Sequence, residues 1–220
     1  MDYDGGPARG RHTIFLGYAV GVGKTYAMLA AARGRASRGE DVVIGYLEPH
    51  VRPGTRALAD GIETLPPMTI QYHGAHFTEL DTAGVLARRP ALALVDELAH
   101  SNTPGPDHDT RWESVAELLD AGIDVFSTVN VQHFESVAPL VSRIMGVSVR
   151  ETLPDAVLID AVVQLVDVEP DVLIDRAKRG VVYPADSIGA ALSHALRRST
   201  LVSLRQIAHD IVRDHQQEVR

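Results

Sequence analysis

The sequence predicts an α/β fold in which helices cover both faces of a mostly parallel β-sheet, followed by a helical C-terminal extension. Apolar, β-branched runs alternate with segments of helical periodicity, and the runs lack the polar alternation of a half-exposed strand. After Pro170 the pattern turns helical. We therefore expect a flexible N-terminus over residues 1–12, a sheet domain over 13–168 and a helical extension over 169–220.

Turn and cap residues separate the predicted elements. Gly39 closes the first helix, Pro90 follows the helix before the fourth strand, and Gly122 stops the helix before the fifth. The strand-like runs are 13–17, 42–47, 68–72, 91–95, 123–129, 147–150 and 162–168, with 181–183 as a further candidate. The expected helices include one from the glycine-rich turn to about 37, one over 112–119 and, in the extension, 172–179, 185–196 and 201–216.

Composition excludes several classes of protein. The chain of 220 residues has a net charge of −8, so its overall field does not attract a nucleic-acid backbone or an anionic membrane. It has no cysteine, which excludes disulfides, thiolate nucleophiles and cysteine-ligated metals. No run approaches the roughly 20 apolar residues of a membrane span. We expect a cytoplasmic protein without a nucleic-acid partner or a membrane span, which reaches the inner face of the membrane only through a partner or a downstream region.

A glycine-rich turn after the first strand is the most informative motif. Gly21 and Gly23 lack a Cβ, so the main-chain N–H groups can converge on one point at the start of a helix. Lys24 would reach the β- and γ-phosphates of a nucleotide, and the Thr25 hydroxyl would bind Mg²⁺. The P-loop pattern has glycine where this chain has Tyr18. The alternative is a turn without a ligand. The predicted phosphate-binding residues are Gly21, Val22, Gly23, Lys24, Thr25 and Tyr26.

Two consecutive carboxylates follow the fourth apolar run. In this Walker B arrangement Asp96 would hold Mg²⁺, directly or through water, while Glu97 could orient an attacking water or hydroxyl. The two motifs together predict a nucleotide site more strongly than either alone. His100 comes next, as a phosphate contact, a metal ligand or a structural histidine. Metal ligation is the least favoured of these, because no second histidine follows at a zinc-type spacing.

A third polar group follows the fifth apolar run. Thr128 or Asn130 could sense a γ-phosphate, and Gln132 could position a water molecule. The alternative is that these side chains cap the next helix, whose apolar pattern begins at Val137. The residue types alone do not favour either interpretation.

Together these residues resemble one family, the N-terminal cytoplasmic domain of KdpD-type osmosensitive potassium-sensor histidine kinases. The resemblance extends from about residue 13 to 213 and is most specific over 21–29, 96–102, 121–133 and 150–155. It implies ATP binding at Lys24 and Thr25, with Asp96 and Glu97 in the Walker B role. It also implies a regulatory task in potassium or turgor signalling, with a histidine-kinase core or a membrane sensor protein as partner.

The chain departs from the family pattern at three places. Tyr18 stands where the family usually has alanine or glycine. Asp107 and Asp109 lie in a segment that is typically basic, which leaves Arg111 as its positive residue. Residues 195–200 replace a typical Phe-Phe-Arg-x-x-Asn pattern. The sequence also contains no phospho-accepting histidine box, so we expect either a fragment of a sensor kinase or a stand-alone relative that acts on one.

The leading hypothesis is a regulatory module whose ATP-bound and ATP-free states change its contacts with a partner. In that case 101–110 and 128–133 are the candidate moving segments. The second hypothesis is an ATPase or a protein-hydroxyl kinase, with Glu97 as the base, Lys24 as the charge stabiliser and Gln132 positioning water. A weaker third hypothesis is a small-molecule ATP-dependent transferase.

Overall fold

The computed structural model describes residues 8–48, 53–180, 182 and 196–218. It confirms the α/β class, with helices on both faces of a parallel sheet. The strands are β1 (His12–Gly17), β2 (Val42–Tyr46), β3 (Glu63–Thr64), β4 (Met68–Tyr72), β5 (Ala75–Glu79), β6 (Leu92–Val95), β7 (Asp124–Asn130) and β8 (Val162–Val166). The helices are α1 (Lys24–Ala36), α2 (Pro53–Ala59), α3 (Thr82–Arg88), α4 (Arg111–Asp120), α5 (Ala138–Met145), α6 (Pro170–Lys178) and α7 (Arg198–Glu218), with 3₁₀ turns at Val131–His133 and Asp155–Leu158.

Six strands form one sheet in the order β3-β2-β6-β7-β1-β8, and each neighbouring pair is parallel. Consecutive strand residues point to opposite faces, and both faces are apolar. In β1, Phe15 packs toward α1 with Met28, whereas Ile14 and Leu16 join the core on the opposite face. Because the inner strands are buried on both sides, their sequences read as continuous apolar runs.

Two of the predicted strands are not in this sheet. The run 68–72 does form β4, but it pairs antiparallel with β5 in a separate hairpin that turns at His73 and Gly74. The run 147–150 is irregular, because α5 ends at Gly146 and the Val149 N–H bonds to the Ser142 hydroxyl (3.1 Å) instead of to a strand. The sequence analysis did not predict α2, β3 or β5. The predicted elements 181–183 and 185–196 lie outside the described residues, apart from Val182 and Leu196.

The helical extension packs on the sheet near β8. The predicted helix 201–216 lies within α7, where Leu201, Leu204 and Ala208 are fully buried in the same core as β1. Asp167, just after β8, accepts hydrogen bonds from Arg205 (2.7 Å) and lies 3.2 Å from Nε2 of His209. Apolar packing and ion pairs therefore both hold α7. Within the described ranges no helix is long and apolar enough to cross a bilayer.

Tyr18 connects the end of β1 to the segment that follows β8. Its side chain has no exposed surface, and its hydroxyl donates a 3.0 Å hydrogen bond to the main-chain carbonyl of Val168. Burial, with the nearby Asp167 carboxylate, raises the pKa of Tyr18 to about 12, so the phenol remains a donor at neutral pH. The residue that departs from the P-loop pattern is therefore a core residue of this fold.

We predict that Tyr18→Phe lowers the free energy of unfolding by about 1 kcal/mol, because it leaves the Val168 carbonyl without its donor. Urea unfolding followed by circular dichroism measures the change. Tyr72→Phe is the matched control, since Tyr72 is 38% exposed on the hairpin. Equal stability of wild type and Tyr18→Phe would show that the hydrogen bond contributes nothing.

Candidate functional site

The loop between β1 and α1, residues 18–23, is called the glycine loop below. Gly21 and Gly23 have φ angles of +91° and +110°, which residues with a Cβ rarely adopt. Gly17, at the end of β1, is required for a different reason. A Cβ there would lie 2.6 Å from a Val22 methyl group and 2.8 Å from Cδ of Lys24. The three glycines therefore let the chain turn sharply while the Lys24 side chain passes back over the end of β1.

Strands β6 and β7 bring polar side chains to the glycine loop. Because β7 lies between β1 and β6 and all three are parallel, their carboxyl ends meet at one edge of the sheet. Nζ of Lys24 donates to Oδ1 of Asn130 (2.7 Å), and the Thr25 hydroxyl lies 3.2 and 3.3 Å from the two Asp96 carboxylate oxygens. Four of the residues predicted from separate motifs therefore meet at this edge.

Thr128 connects the two predicted acidic residues. Its hydroxyl donates to Oδ1 of Asp96 (2.5 Å) and accepts from the main-chain N–H of Glu97 (3.1 Å). One of the two interpretations of Thr128 held that it caps the next helix. In this structure its hydroxyl instead bonds to Asp96 and Glu97, the two residues that follow β6. Asn130 likewise directs its side chain to Lys24.

A cavity of about 230 Å³ lies at this edge of the sheet. Its wall combines the glycine loop, the start of α1 and the end of β6, and Glu48 and Thr55 also line it. Lys24 is 6% exposed and Asp96 is 1% exposed, so water screens their charges only weakly. The predicted residues that line the cavity are Gly21, Gly23, Lys24, Thr25, Tyr26, Asp96 and Glu97.

Glu97 has an unusual backbone conformation and an altered acidity. Its φ of +54° is uncommon for a residue with a Cβ. Burial and the neighbouring carboxylates of Asp96 and Glu48 raise the pKa of Glu97, and the positive charge of Lys24 opposes part of that shift. A carboxyl group with a raised pKa is suited to accept a proton near neutral pH.

Arg111 holds the turn that contains Glu97. It is 1% exposed, and its Nη1 donates to the carbonyls of Asp96 (3.2 Å) and Glu97 (3.4 Å). Its guanidinium carbon lies 3.9 Å from the centre of the Tyr46 ring, a cation–π contact. Nη2 forms an ion pair with Glu79 (3.0 Å). A buried arginine therefore fixes the main chain beside the cavity.

The hairpin supplies the counter-charge for Arg111. Glu79, the last residue of β5, is 2% exposed and accepts hydrogen bonds from the N–H (2.9 Å) and hydroxyl (2.8 Å) of Thr103. Nε2 of His100 lies 3.1 Å from the same carboxylate. Burial alone would raise the pKa of Glu79, but the bonds from His100 and Thr103 lower it to about 2. His100 thus makes a structural contact, and no group of metal-binding side chains occurs among the described residues.

Gln132 lies apart from the cavity. It is in the 3₁₀ turn after β7, where its Nε2 lies 3.4 Å from Nε2 of His133. Nδ1 of His133 donates to the Glu151 carbonyl (2.7 Å), and burial lowers the pKa of His133, which favours the neutral ring. The structure therefore does not bring Gln132 against Asp96 or Glu97. Its catalytic role stays a prediction.

The segment 101–110 is held by its own hydrogen bonds. The Asn102 N–H bonds to the Asp109 carbonyl (2.8 Å), its side-chain amide bonds to the His108 carbonyl (3.0 Å), and Ser101 pairs with Thr110 in an isolated bridge. Arg111 follows directly and begins α4. The prediction that this segment moves with nucleotide is untested.

Sequence reasoning missed Glu79, Tyr46 and Arg176. Arg176, in α6, donates through Nη1 to the carbonyls of Gly21 (3.3 Å) and Val22 (3.4 Å), so the extension contacts the glycine loop directly. A lone charged residue in an otherwise ordinary strand or helix gives no local signal of such a contact. Arg111 gave a weak signal, as the positive residue left in an acidic segment.

Comparisons with known proteins agree with this arrangement. Residues 8–215 match the family model for the KdpD osmosensitive K⁺ channel His kinase sensor domain. The sensor protein KdpD of Escherichia coli K12 is 48% identical over 210 residues, which are 94% of this chain and 23% of that protein. KdpD of Mycobacterium tuberculosis H37Rv is 49% identical over 201 residues (91% and 23%), and a putative sensor protein KdpD of Synechocystis is 48% identical over 201 residues (91% and 54%).

The fold and the polar edge of the sheet define an α/β protein with a candidate phosphate-binding loop. The chain belongs to the KdpD sensor-domain family, because the family model covers most of its length. It spans about a quarter of the Escherichia coli and Mycobacterium tuberculosis relatives and about half of the Synechocystis relative.

We predict that Glu79→Gln lowers the free energy of unfolding by roughly 3–5 kcal/mol at pH 7, because it leaves Arg111 buried without its counter-charge. The pKa of Glu79 falls from an ordinary 4.5 to about 2 on folding, so this carboxylate stabilises the fold above about pH 4.5. That contribution disappears as the pH falls toward 2.

Denaturant unfolding between pH 7 and pH 3 measures this difference. The difference in the free energy of unfolding between wild type and Glu79→Gln should stay constant down to about pH 5 and then become smaller. Glu135→Gln is the control, because Glu135 is an exposed carboxylate of the same type. A gap that does not change with pH would contradict the role given to the Glu79 charge.

Proposed function

We propose that this chain is a regulatory ATP-binding module of a potassium-responsive two-component sensor. In this role the nucleotide state of the glycine loop controls a histidine-kinase core or a membrane sensor protein. Membership of the KdpD sensor-domain family and the names of the relatives support the signalling role. The observation that carries ATP binding is the convergence of Lys24, Thr25 and Asp96 at the 230 Å³ cavity.

The chemistry of the cavity suits a polyphosphate. The main chain at Gly21 and Gly23 adopts positive φ angles, and Gly23 precedes the first turn of α1, whose free N–H groups favour an anion. Nζ of Lys24 donates a hydrogen bond to the side-chain oxygen of Asn130, which is uncharged. A phosphate oxygen would therefore compete with this amide for the Lys24 amine.

The donor set also fits Mg²⁺. A hydroxyl and a carboxylate that already lie 3.2 Å apart, Thr25 and Asp96, would hold the ion together with phosphate oxygens and water. When bound, Mg²⁺ would neutralise phosphate charge. Thr128 keeps the Asp96 carboxylate oriented toward Thr25 through its 2.5 Å bond. One carboxylate is sufficient for such a site, because Mg²⁺ usually retains several water ligands.

A route from the cavity to the extension supports a regulatory role. Arg176 binds the carbonyls of Gly21 and Val22, and Tyr18 binds the carbonyl of Val168. Any change in the path of the glycine loop on nucleotide binding would alter these contacts. Asp167, next to Val168, pairs with Arg205 of α7, so the same change would reach the C-terminal helix.

The raised pKa of Glu97 favours a second candidate function, ATP hydrolysis or phosphoryl transfer to a protein hydroxyl. Glu97 lines the cavity, and its main chain is fixed by Thr128 and Arg111. As a base, Glu97 would take the proton of the attacking water or hydroxyl while Lys24 stabilises negative charge on the phosphate.

We predict that Lys24→Ala weakens the binding of Mg-ATP about 10- to 100-fold, because hydrogen bonds to a charged group contribute roughly 1.5–3 kcal/mol. Isothermal titration calorimetry on the 220-residue chain measures the affinity. Lys178→Ala is a matched control, since Lys178 is the other lysine of the sequence and is exposed. Equal affinities of wild type and Lys24→Ala, or no binding by wild type, would refute the proposal.

Single-turnover assays with labelled ATP separate the two candidate functions. A regulatory module should keep bound ATP intact over many minutes. If wild type instead releases phosphate, or labels a partner protein, and Glu97→Gln abolishes this while Glu135→Gln does not, the chain is an enzyme. In that case activity should rise with pH as Glu97 loses its proton, above the pH at which an ordinary glutamate ionises.

A further inference from the structure

A second cavity, of about 530 Å³, lies at the amino ends of the sheet strands, away from the glycine loop. It is lined by His12, the first residue of β1, whereas the glycine loop follows the last residue of that strand. No described residue lines both this cavity and the polar cavity beside Lys24. Its volume is within the roughly 300–1,000 Å³ range of small-molecule sites. The proposed nucleotide site therefore does not account for this cavity, which is called the His12 cavity below.

Apolar side chains from two elements form most of the His12 cavity. One wall is α4, and another is the 3₁₀ turn before β8 with the residues on either side of it. Within these walls the flat rings of a tryptophan and a proline can pack against an aromatic group. The apolar lining residues include Trp112, Val115 and Leu119 in α4, and Pro154, Val157 and Ile159 around the turn. The walls therefore suit an apolar group of the size of a ring.

His12 brings a buried polar group to this apolar cavity. It is 6% exposed, and its Nε2 lies 2.7 Å from the hydroxyl of Ser127, which is fully buried. Burial, with the positive charge of Arg9, lowers the pKa of His12 to about 4, so the ring is neutral at pH 7. The other ring nitrogen, Nδ1, makes no hydrogen bond to any residue that the structure describes.

The Ser127 hydroxyl decides which nitrogen of His12 carries the proton. This hydroxyl has no other acceptor in the described part of the chain, so it donates to Nε2. The neutral ring then carries its own proton on Nδ1. The His12 cavity is therefore lined by a buried N–H group without an acceptor, and a ligand oxygen would supply one.

Two arginines, Arg9 and Arg11, also line the His12 cavity. The Arg11 side chain makes no hydrogen bond or ion pair with any described residue. Arg9 pairs with Asp120 (2.8 Å), but both side chains are more than half exposed, so the pair is weak and Arg9 can turn to a ligand. Asp160 is the one carboxylate among the described lining residues. Two guanidinium groups and one carboxylate leave this lining positive, although the chain as a whole has a net charge of −8.

The main chain between the two arginines is fixed in place. The Gly10 N–H donates to the Leu119 carbonyl (2.7 Å), and the Arg11 N–H donates to Oδ1 of Asp124 (2.9 Å). A Cβ at Gly10 would lie 2.0 Å from the Ile123 carbonyl oxygen, so only glycine permits this approach. Both arginines therefore extend from a main chain that is already held against α4 and β7.

We propose that the His12 cavity binds a small aromatic acid, with its ring between α4 and the 3₁₀ turn and its carboxylate bonded to Nδ1–H of His12 and to the guanidinium groups of Arg9 and Arg11. A carboxylate is favoured over a neutral oxygen because charge-assisted hydrogen bonds are roughly twice as strong as neutral ones. The site shares no described residue with the candidate nucleotide site, so the inference does not rest on the proposed function.

The fluorescence of Trp112 tests the proposal directly, because Trp112 is the single tryptophan of the sequence and lines the cavity. Titration of the 220-residue chain with 4-tert-butylbenzoate should change its emission and saturate with a Kd below about 1 mM. Calorimetry should give one molecule per chain. The neutral analogue 4-tert-butylbenzyl alcohol has the same apolar body and should bind about tenfold more weakly.

Removal of both guanidinium groups should abolish the preference for the acid. The double variant Arg9→Gln, Arg11→Gln should weaken binding of 4-tert-butylbenzoate about tenfold and leave the affinity for the alcohol unchanged. The control is Arg143→Gln, Arg213→Gln. Like the first pair, it removes one exposed arginine without a described partner and one exposed arginine in a surface ion pair.

A third variant fills the cavity. Ala116 is half-buried in α4 and lines the cavity, so Ala116→Phe should place a ring in it and weaken both probes about tenfold or more. Ala83→Phe is the control, because Ala83 is exposed in α3 and does not line the cavity. Circular dichroism checks that each variant is folded. The arginine variants keep the test decisive if Ala116→Phe fails to fold, since both arginines are exposed.

The outcomes separate this inference from the proposed function. No saturable change in Trp112 emission, equal affinities for the acid and the alcohol, or binding of both probes by folded Ala116→Phe as tightly as by wild type would each overturn the inference. Lys24→Ala should bind 4-tert-butylbenzoate like wild type, and an excess of Mg-ATP should not displace this probe. Displacement by Mg-ATP would place the probe in the nucleotide site and overturn the inference. Failure of wild type to bind Mg-ATP would refute the proposed function alone.

Discussion

The hydrogen bond from Thr128 to Asp96 joins the ends of the two strands on which the candidate site depends. In the parallel register Val95 lies opposite Ser127, so Asp96 and Thr128, which follow them, lie side by side. The Thr128 hydroxyl donates to the Asp96 carboxylate and accepts from the main-chain N–H of Glu97, so it holds both residues in place. On the other side of β7, Gly17 lies opposite Asn130, which brings the Lys24 amine to Asn130. The parallel pairing of β6, β7 and β1 thus brings Asp96, Thr128, Asn130 and Lys24 together at the cavity edge.

A buried ion pair between Arg111 and Glu79 supports the main chain at this edge of the sheet. Arg111 and Glu79 are both almost fully buried, and a buried pair of this kind is costly to desolvate unless its remaining hydrogen bonds are satisfied. Here Nη1 of Arg111 donates to the Asp96 and Glu97 carbonyls, and Thr103 and His100 bond to the Glu79 carboxylate. Nε of Arg111 has no hydrogen-bond partner among the described residues. The hairpin that carries Glu79 is otherwise mostly exposed, and it contacts the sheet through this carboxylate and through the hydrogen bond from the Tyr46 hydroxyl to the Thr78 carbonyl (3.3 Å).

The extension is part of the architecture around the glycine loop. Tyr18 of this loop bonds to Val168, just before the extension, Arg176 of the extension bonds to the loop, and α7 shares the core of β1. The proposed regulatory function requires a connection between the ligand site and the remainder of the protein. The contacts available for it are these two hydrogen-bonded contacts and the ion pair between Asp167 and Arg205.

The sequence by itself determined the features that depend on neighbouring residues. Positive φ at Gly21 and Gly23, the apolar run before Asp96 and the stop at Gly122 are local requirements, so they could be predicted, and the residues of the motifs carried the resemblance to the family. Tertiary structure alone decided that 68–72 joins a separate hairpin, that Tyr18 points into the core, and that Arg111 meets Glu79. Those contacts join residues 150 and 32 positions apart. They depend on which strands are adjacent in the sheet and on which polar and charged side chains become buried together. No local periodicity of the sequence encodes either property.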